Sequence, residues 1–484
     1  MGIVAGLDSS SAFTRIVVCD TDTGAVLRQG YAPHPQPAGD PESLHPHETD
    51  PQAWLLSLGE AAGNGLLEGV QAIGVSAQQH GLLPLDAQGA LVRPALVGND
   101  KRAQVAAADL TEALGGRQAW VEAVGSVPQS AQPVAKLAWL ARNEPDAARR
   151  TAVLMSPHDW LVWQLLGRPA RRTTDRGGAS GTGYWSAATG AYRPDLVELA
   201  LGHMALLPEV LAPAEAAGMT PEGLLISAGT GETMAAALGL GLGPGDAVVS
   251  LGASGSVMAV HHEALTEPGG LITSLADAGG MHLPVVNTSN AVRALRGTAE
   301  LLGTDLEGLS DLALKSTPGA HGLVLLPYLE GERTPNLPHT AGTLTGLRRD
   351  SMKPEHLARA AFEGMLCGLA DALDVLRMRG VEIRRVFLLG AAAELPAVQA
   401  AAPGLFGTQI VVPAPADYAA LGAARQAAWA LGVQQGTLAP HTPPVWPGPV
   451  AQLFAPDEEY PAWQAVRQQY VATREQIHPG AFQA

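Results

Sequence analysis

Ile3-Val4-Ala5-Gly6-Leu7-Asp8-Ser9-Ser10-Ser11-Ala12-Phe13-Thr14-Arg15-Ile16-Val17-Val18-Cys19 opens the chain and decides its architecture. Ile3 to Leu7 reads as a buried strand that ends on Asp8, Ser9-Ser10-Ser11 as a polar turn, and Arg15 to Cys19 as a returning strand. Asp20-Thr21-Asp22-Thr23-Gly24 supplies a second turn, and Ala25 to Tyr31 a third strand. The pattern recurs far along the chain. Ala247 to Leu251 is an apolar strand, Gly252-Ala253-Ser254-Gly255 a small-residue turn, and Ser256 to Val260 the return. Two such units suggest a duplicated α/β architecture, with two unrelated hairpins as the alternative.

The remaining chain fits that layering. Glu355 to Arg379 carries Leu357, Ala361, Leu366, Leu369, Leu373 and Leu376 near helical spacing, with Pro354 suited to the first turn and Gly380 to the end. Val386 to Leu389 reads as a buried strand leading into Gly390. At 484 residues the chain is too long for one core. Gly241 to Asp246, with Gly243-Pro244-Gly245, is the best boundary, giving expected domains 1–243 and 244–484. A formal charge of −16 argues against a nucleic-acid partner, and no apolar run approaches a membrane span. Cys19 and Cys367 sit in apolar segments and read as buried reduced thiols of a cytoplasmic protein. His34, His45 and His47 lie in a proline-rich stretch, Pro33 to Pro51, that reads as a surface loop and not a metal site.

Leu325-Leu326-Pro327-Tyr328-Leu329-Glu330-Gly331-Glu332-Arg333-Thr334-Pro335-Asn336 is the most specific motif. It crowds charged groups against an apolar strand, where each must be paired or solvated. The run closely resembles the L-P-Y-L-x-G-E-R-T-P element of the FGGY carbohydrate kinases, most nearly their xylulokinase branch. Glu48 to Trp54 resembles the family's E-x-D-P-x-x-W, Ser156 to Leu161 its P-K-D-Y-L, Asp175 to Thr182 its D-x-x-x-A-S-G-T, and Ala420 to Ala424 its A-L-G-A-A. The matches run in order from Asp8 to Ala424. They imply two actin-like, ribonuclease-H-like domains with an interdomain cleft, the first binding sugar and the second nucleotide. They also imply a small-molecule sugar partner and allow a homodimer.

The implied reaction is ATP-dependent phosphorylation of a small sugar, D-xylulose at its terminal hydroxyl, with ATP and Mg2+ as cofactors. Such transfer needs a metal, a cradle of backbone donors and a carboxylate near the acceptor hydroxyl. In the resemblance Asp8 holds the metal, and Ser10, Ser11 and Arg15 form the first phosphate loop. Gln79 and His80 (in Gln78-Gln79-His80-Gly81), together with Asn99 and Asp100 (in Gly98-Asn99-Asp100), face the sugar. Glu232, in Gly229-Thr230-Gly231-Glu232-Thr233, stands where the family has its aspartate base, with Thr233 beside it. Gly252, Ala253, Ser254, Gly390 and Ala391 fall on the nucleotide loops.

Several of these positions depart from the family. Ser10 replaces a glycine, Ala253 a threonine and Gly98 a tryptophan. Ala391 and Ala392 replace glycines, and Glu394 adds charge nearby. Alanine costs on the order of 1 kcal/mol wherever glycine held positive φ. The extra methylene of Glu232 shifts its carboxylate by about an ångström unless the backbone adjusts, and a shift of that size can cost about 10²-fold in rate. The departures leave a second reading open, a weak or inactive homologue kept for sugar binding or regulation.

Overall fold

The computed structural model describes residues 2–34, 48–98, 100–456 and 459–482. Two compact units divide the chain: Met1–Leu242 with Ser274–Leu283 and Ala416–Gly448, and Gly243–Thr273 with Pro284–Pro415 and Pro449–Ala484. The chain leaves the first unit between Leu242 and Gly243 but revisits it twice, so each unit is discontinuous.

In the first unit the strands run Ala216–Met219, Leu225–Ser227, Ala72–Ala77, Ile3–Ser9, Phe13–Asp20 and Val26–Pro33, and the short Thr230–Gly231 strand also joins Ala72–Ala77. Ile3–Ser9 is antiparallel to Phe13–Asp20 and parallel to Ala72–Ala77. Period-two alternation sorts this sheet's side chains onto two faces. Leu7, Ile16, Val18 and Val75 enter a core with Trp54 and Trp160, while Val4, Val17, Cys19 and Ala72 pack against the Tyr418–Gln434 helix. Glycines set that helix's close approach. A Cβ on Gly6 would stand 1.9 Å from the Ala420 carbonyl oxygen, and one on Gly74 1.9 Å from that of Ala423. On the helix itself, a Cβ on Gly422 would stand 1.8 Å from the Ala235 carbonyl oxygen.

The second unit repeats the motif. Its sheet includes, in order, Gly255–Ala259, Gly245–Leu251, Ile383–Leu389, Gln409–Pro413 and Ala451–Phe454. The hairpin Gly245–Leu251/Gly255–Ala259 is antiparallel, and Ile383–Leu389 runs parallel to its first strand. The Pro354–Met378 helix lays its apolar stripe on this sheet's core. Cys19 and Cys367 are buried free thiols. No helix among the described residues is long and apolar enough to cross a membrane.

The surface-loop reading fails for His34. It is 5% exposed, and its Nε2 lies 2.7 Å from Thr14 Oγ1 on the neighbouring strand. Extension of the Val26–Pro33 strand carries the ring inward. His45 and His47 lie outside the described residues. The E-x-D-P-x-x-W element works by parts: Glu48 pairs with Arg102 at 2.8 Å, Asp50 Oδ1 accepts from Gln52 N at 3.0 Å, and Trp54 meets Trp160 edge-on at 6.1 Å.

Candidate active site

Three carboxylates gather where parallel strands end in the first unit, the usual place for ligands in such sheets. Asp8 pairs in register with Ser76, and Ser76 with Thr230, so the ends of three strands line up. Ser76 Oγ donates to Asp8 Oδ1 at 2.8 Å. Glu232 opens the Glu232–Leu240 helix directly after the Thr230–Gly231 strand. Asp417 caps the Tyr418–Gln434 helix by accepting from Ala420 N at 3.0 Å, and its Oδ2 lies 3.5 Å from Arg15 Nε.

Their electrostatics are mutual. Burial pushes the Asp8 carboxyl well above the carboxylate range, and the charges of Asp417 and Glu232 push it further; the Ser76 hydrogen bond and Arg15 oppose them. Burial also raises Glu232, against a hydrogen bond from the Gln79 backbone N–H to its carboxylate. Among the described residues no three metal-ligating side chains cluster. A magnesium ion there would take one or two carboxylate oxygens and complete its shell with phosphate and water, as Mg2+ usually does. Sequence reading had missed Asp417. Its only signal was an aspartate just ahead of the Ala420–Ala424 helix segment.

The sugar-side residues converge on Gln79 and His80. His80 holds φ +64 and its Nδ1 lies 3.0 Å from the Gly181 carbonyl oxygen. That bond fixes Nδ1–H and leaves Nε2 as an acceptor. Burial and the Lys136 charge bring the imidazole down to about 4, so it is neutral. A Cβ on Gly98 would stand 2.6 Å from the Gln79 carbonyl oxygen, which explains why no tryptophan occupies that position. Gly231 and Gly181 are similarly filled by the Gln79 side chain, with a Cβ on each 2.1 Å from Oε1 and 2.5 Å from Nε2 respectively. Asp100 is buried and paired with Arg102 Nε at 2.7 Å. Thr233 is half-buried on the first helical turn, and Asn99 lies outside the described residues.

Lys136, which the sequence did not single out, ties these loops together. Its side chain is fully buried and donates to the carbonyls of His80 and Val97, each at 2.7 Å. Burial pulls the ammonium down to about 7, with Asp100 opposing and Arg102 adding to the effect.

At the expected phosphate loops the departures at Ser10, Ala391 and Ala392 bring no backbone strain. Ser10 does not project outward, because its Oγ accepts from Ala12 N and Phe13 N at 3.2 Å each and donates to Phe13 O at 3.1 Å. Ser11 is exposed at the turn. In the second unit the expected strain at Ala391 and Ala392 is absent. Among the described non-glycine residues positive φ occurs only at Asn64, His80, Arg168, Ala320 and His321. Gly390 holds φ +101, and a Cβ there would stand 2.6 Å from the Leu251 carbonyl oxygen. The glycine the turn requires is thus the one retained, and Ala391–Glu394 follows as a short 3₁₀ turn.

Gly252 and Ser254 lie with Ala253 on an exposed turn whose carbonyls are held. Ala291 N donates to Ala253 O at 3.1 Å and Val292 N to Gly252 O at 3.0 Å. The motif from Leu325 to Asn336 supports the same corner. Buried Glu332 accepts from Ser289 N, Asn290 Nδ2 at 3.0 Å and Arg333 N at 2.7 Å, and Glu330 pairs with Arg293 at 2.6 Å.

Comparison with known proteins gives this arrangement a family. The N-terminal domain model of the FGGY family of carbohydrate kinases matches residues 3–241, and the C-terminal domain model matches 247–431. The chain belongs to the FGGY family of carbohydrate kinases. It is similar to the xylulose kinase of Streptomyces coelicolor, 40% identical over 468 residues and 94% of both chains. The xylulose kinase of Streptomyces rubiginosus is likewise 40% identical, again over 94% of both. The crystal structure of xylulose kinase from Bifidobacterium adolescentis superposes with a TM-score of 0.89 at 35% identity, covering 98% of this chain and 99% of that one. This FGGY chain is therefore a carbohydrate kinase with the ribonuclease-H-like fold of its relatives.

Proposed function

We propose that this carbohydrate kinase transfers the γ-phosphoryl group of ATP to the terminal hydroxyl of D-xylulose, giving D-xylulose 5-phosphate and ADP. The observation that carries the reading is the meeting of Glu232 with Asp8 at one strand-end edge, with the Gln79 N–H holding the Glu232 carboxylate. The full-length similarity to xylulose kinases supplies the sugar.

Glu232 accepts the hydroxyl proton as the sugar oxygen bonds to phosphorus and the bond to the ADP oxygen breaks. Its raised proton affinity makes it a stronger base than a solvated carboxylate. Asp8, with Asp417 beside it, would hold magnesium, which when bound neutralises phosphate charge. Arg15 stands next to that seat and offsets part of the acidity. His80 Nε2 accepts a sugar hydroxyl, while Asp100, Gln79, Asn99 and Thr233 shape the rest of the sugar site. Ser10 and Ser11 in the first unit, and Gly252–Ser254 with Gly390–Ala391 in the second, take the nucleotide phosphates. The second unit would thus be the nucleotide domain and the first the sugar domain, in the cytoplasm where ATP is supplied. The reading of an inactive homologue is not favoured: the alanine loops carry no positive φ and Ser10 is folded into its own turn.

The test is ADP release from Mg-ATP across pentuloses, hexuloses and polyols. D-xylulose should accelerate release most, and Glu232→Ala should abolish the increment with the fold intact. Equal release with and without every sugar would overturn the proposal.

A further inference from the structure

The chemistry assigned to Glu232 requires its carboxylate to be held in place, yet its helix begins with no side-chain cap. The turn before it, Gly229-Thr230-Gly231, is instead held from behind. Thr230, fully buried, donates from Oγ1 to Asp175 Oδ2 at 2.7 Å. Asp175 is saturated: it also accepts from Gly177 N at 2.9 Å and Gly178 N at 2.7 Å, and its Oδ1 lies 3.3 Å from His158 Nε2. The same His158 nitrogen is 3.0 Å from Asp159 Oδ1, and Nδ1 lies 2.9 Å from Ser156 Oγ.

The ring also touches the turn by shape. A Cβ on Gly178 would stand 2.3 Å from His158 Cε1, and one on Gly229, at φ +75, would stand 3.1 Å from Cδ2. The imidazole therefore fills a slot between two glycines, one of which opens the turn. Gln426 Nε2 closes the other side by donating to Gly229 O at 3.1 Å.

We propose that His158 and Asp175 are positioning residues for Glu232: the imidazole, lying between Asp159 and Asp175, fixes the Asp175 carboxylate, which holds Thr230 and so aims the following carboxylate. The proposal rests on the reading of Glu232 as the base. Burial alone would lower the His158 proton affinity, but Asp159 and Asp175 outweigh it and hold the ring up to about 10, so it is charged at neutral pH. A charged ring donates from both nitrogens at once, and Ser156 Oγ and the two aspartates can accept those bonds. The pair touches neither sugar nor nucleotide in this scheme. It acts only through the turn.

Two pairs of full-length variants test it. Thr230→Val removes the hydroxyl and keeps the shape, whereas Thr230→Ser keeps the hydroxyl. His158→Gln removes the charge, and His158→Lys restores it. With kcat normalised to folded protein, Thr230→Val and His158→Gln should each lose about 10- to 100-fold in kcat, while KM for D-xylulose and for Mg-ATP stays within about 3-fold. Thr230→Ser should stay within about 3-fold of the parent, and His158→Lys should recover most of the loss. A merely structural role predicts a lower melting temperature with kcat per folded molecule unchanged, and that result would overturn the proposal. So would a loss that Ser shares with Val at 230. Should His158→Gln fail to fold, the Thr230 pair decides alone. If Glu232→Gln is dead while Thr230→Val is fully active, only this inference falls; a live Glu232→Gln enzyme overturns both it and the reading of the base.

Discussion

The backbone N–H of Gln79 donates to the carboxylate of Glu232, joining the loop after one parallel strand to the helix after its neighbour. This bond gives the longer acid a defined place where the family uses aspartate. Glu232→Asp should therefore lower kcat about 10- to 100-fold instead of restoring an optimal base, with the fold unchanged. Glu232→Gln should lose about 10³-fold or more, because it cannot accept the proton. ADP-release kinetics alongside thermal melts would check both; an Asp variant faster than the parent would show that the extra methylene is a handicap.

Asp8 should trade stability for activity. Its carboxyl is raised by burial and by Asp417 and Glu232, so the folded state disfavours its ionised form. The sign follows from linkage: a carboxyl raised on folding favours the folded state at low pH, and that contribution disappears as pH rises through the folded value. Asp8→Asn keeps an acceptor for Ser76 Oγ and removes the charge. It should raise the melting temperature where Asp8 is ionised by about 1–3 °C, lose that gain as pH falls through the folded value, and abolish turnover. Mg-ATP should stabilise the parent but not the variant. A variant less stable than the parent at pH 7 would contradict the assignment.

For the base itself the same direction has a kinetic consequence. Since burial lifts Glu232 above its ordinary value of 4.5, kcat should fall on acidification with an apparent pKa above 4.5. A pH–kcat profile flat down to 4.5 would mean that another group takes the proton.

The glycines separate packing from propensity. A Cβ on Gly422 would stand 1.8 Å from the Ala235 carbonyl oxygen, with backbone on both sides and no flexible side chain to give way. Gly422→Ala should yield insoluble protein or a melting temperature lower by more than about 10 °C. Gly59 lies within the Gln52–Ala61 helix with nothing within 4 Å of its would-be Cβ. Gly59→Ala should stabilise by about 0.5–1 kcal/mol. Circular dichroism melts of the two would settle whether helix contact, and not helix content, holds the first unit.

How much of this was legible beforehand depended on whether the signal was local. The strands that carry Asp8 and Leu251 were readable because alternation and turn chemistry lie within a few residues. Asp417 was not, since it joins Asp8 only after the Tyr418–Gln434 helix packs on a sheet formed some 400 residues earlier. His158 looked like a substitution in a structural motif, and only its two aspartates reveal its charge. The alanines after Gly390 misled for a related reason. A replaced glycine signals strain only if its φ was positive, and that angle is a property of the folded turn.

Lys136 supplies a last prediction. Its ammonium holds the carbonyls of His80 and Val97 at 2.7 Å each, so one buried donor joins the two loops that would face the sugar. Methionine matches its length and apolar stem but donates nothing, leaving both carbonyls to relax apart. Lys136→Met should raise KM for D-xylulose more than about 10-fold, with KM for Mg-ATP within about 2-fold, since the nucleotide loops of the second unit make no use of it. Lys136→Arg should not rescue, because the site is closed around a compact head and a planar fork cannot meet both carbonyls there. Equal losses in sugar and nucleotide KM would show that the residue supports the fold in general and not the sugar loops.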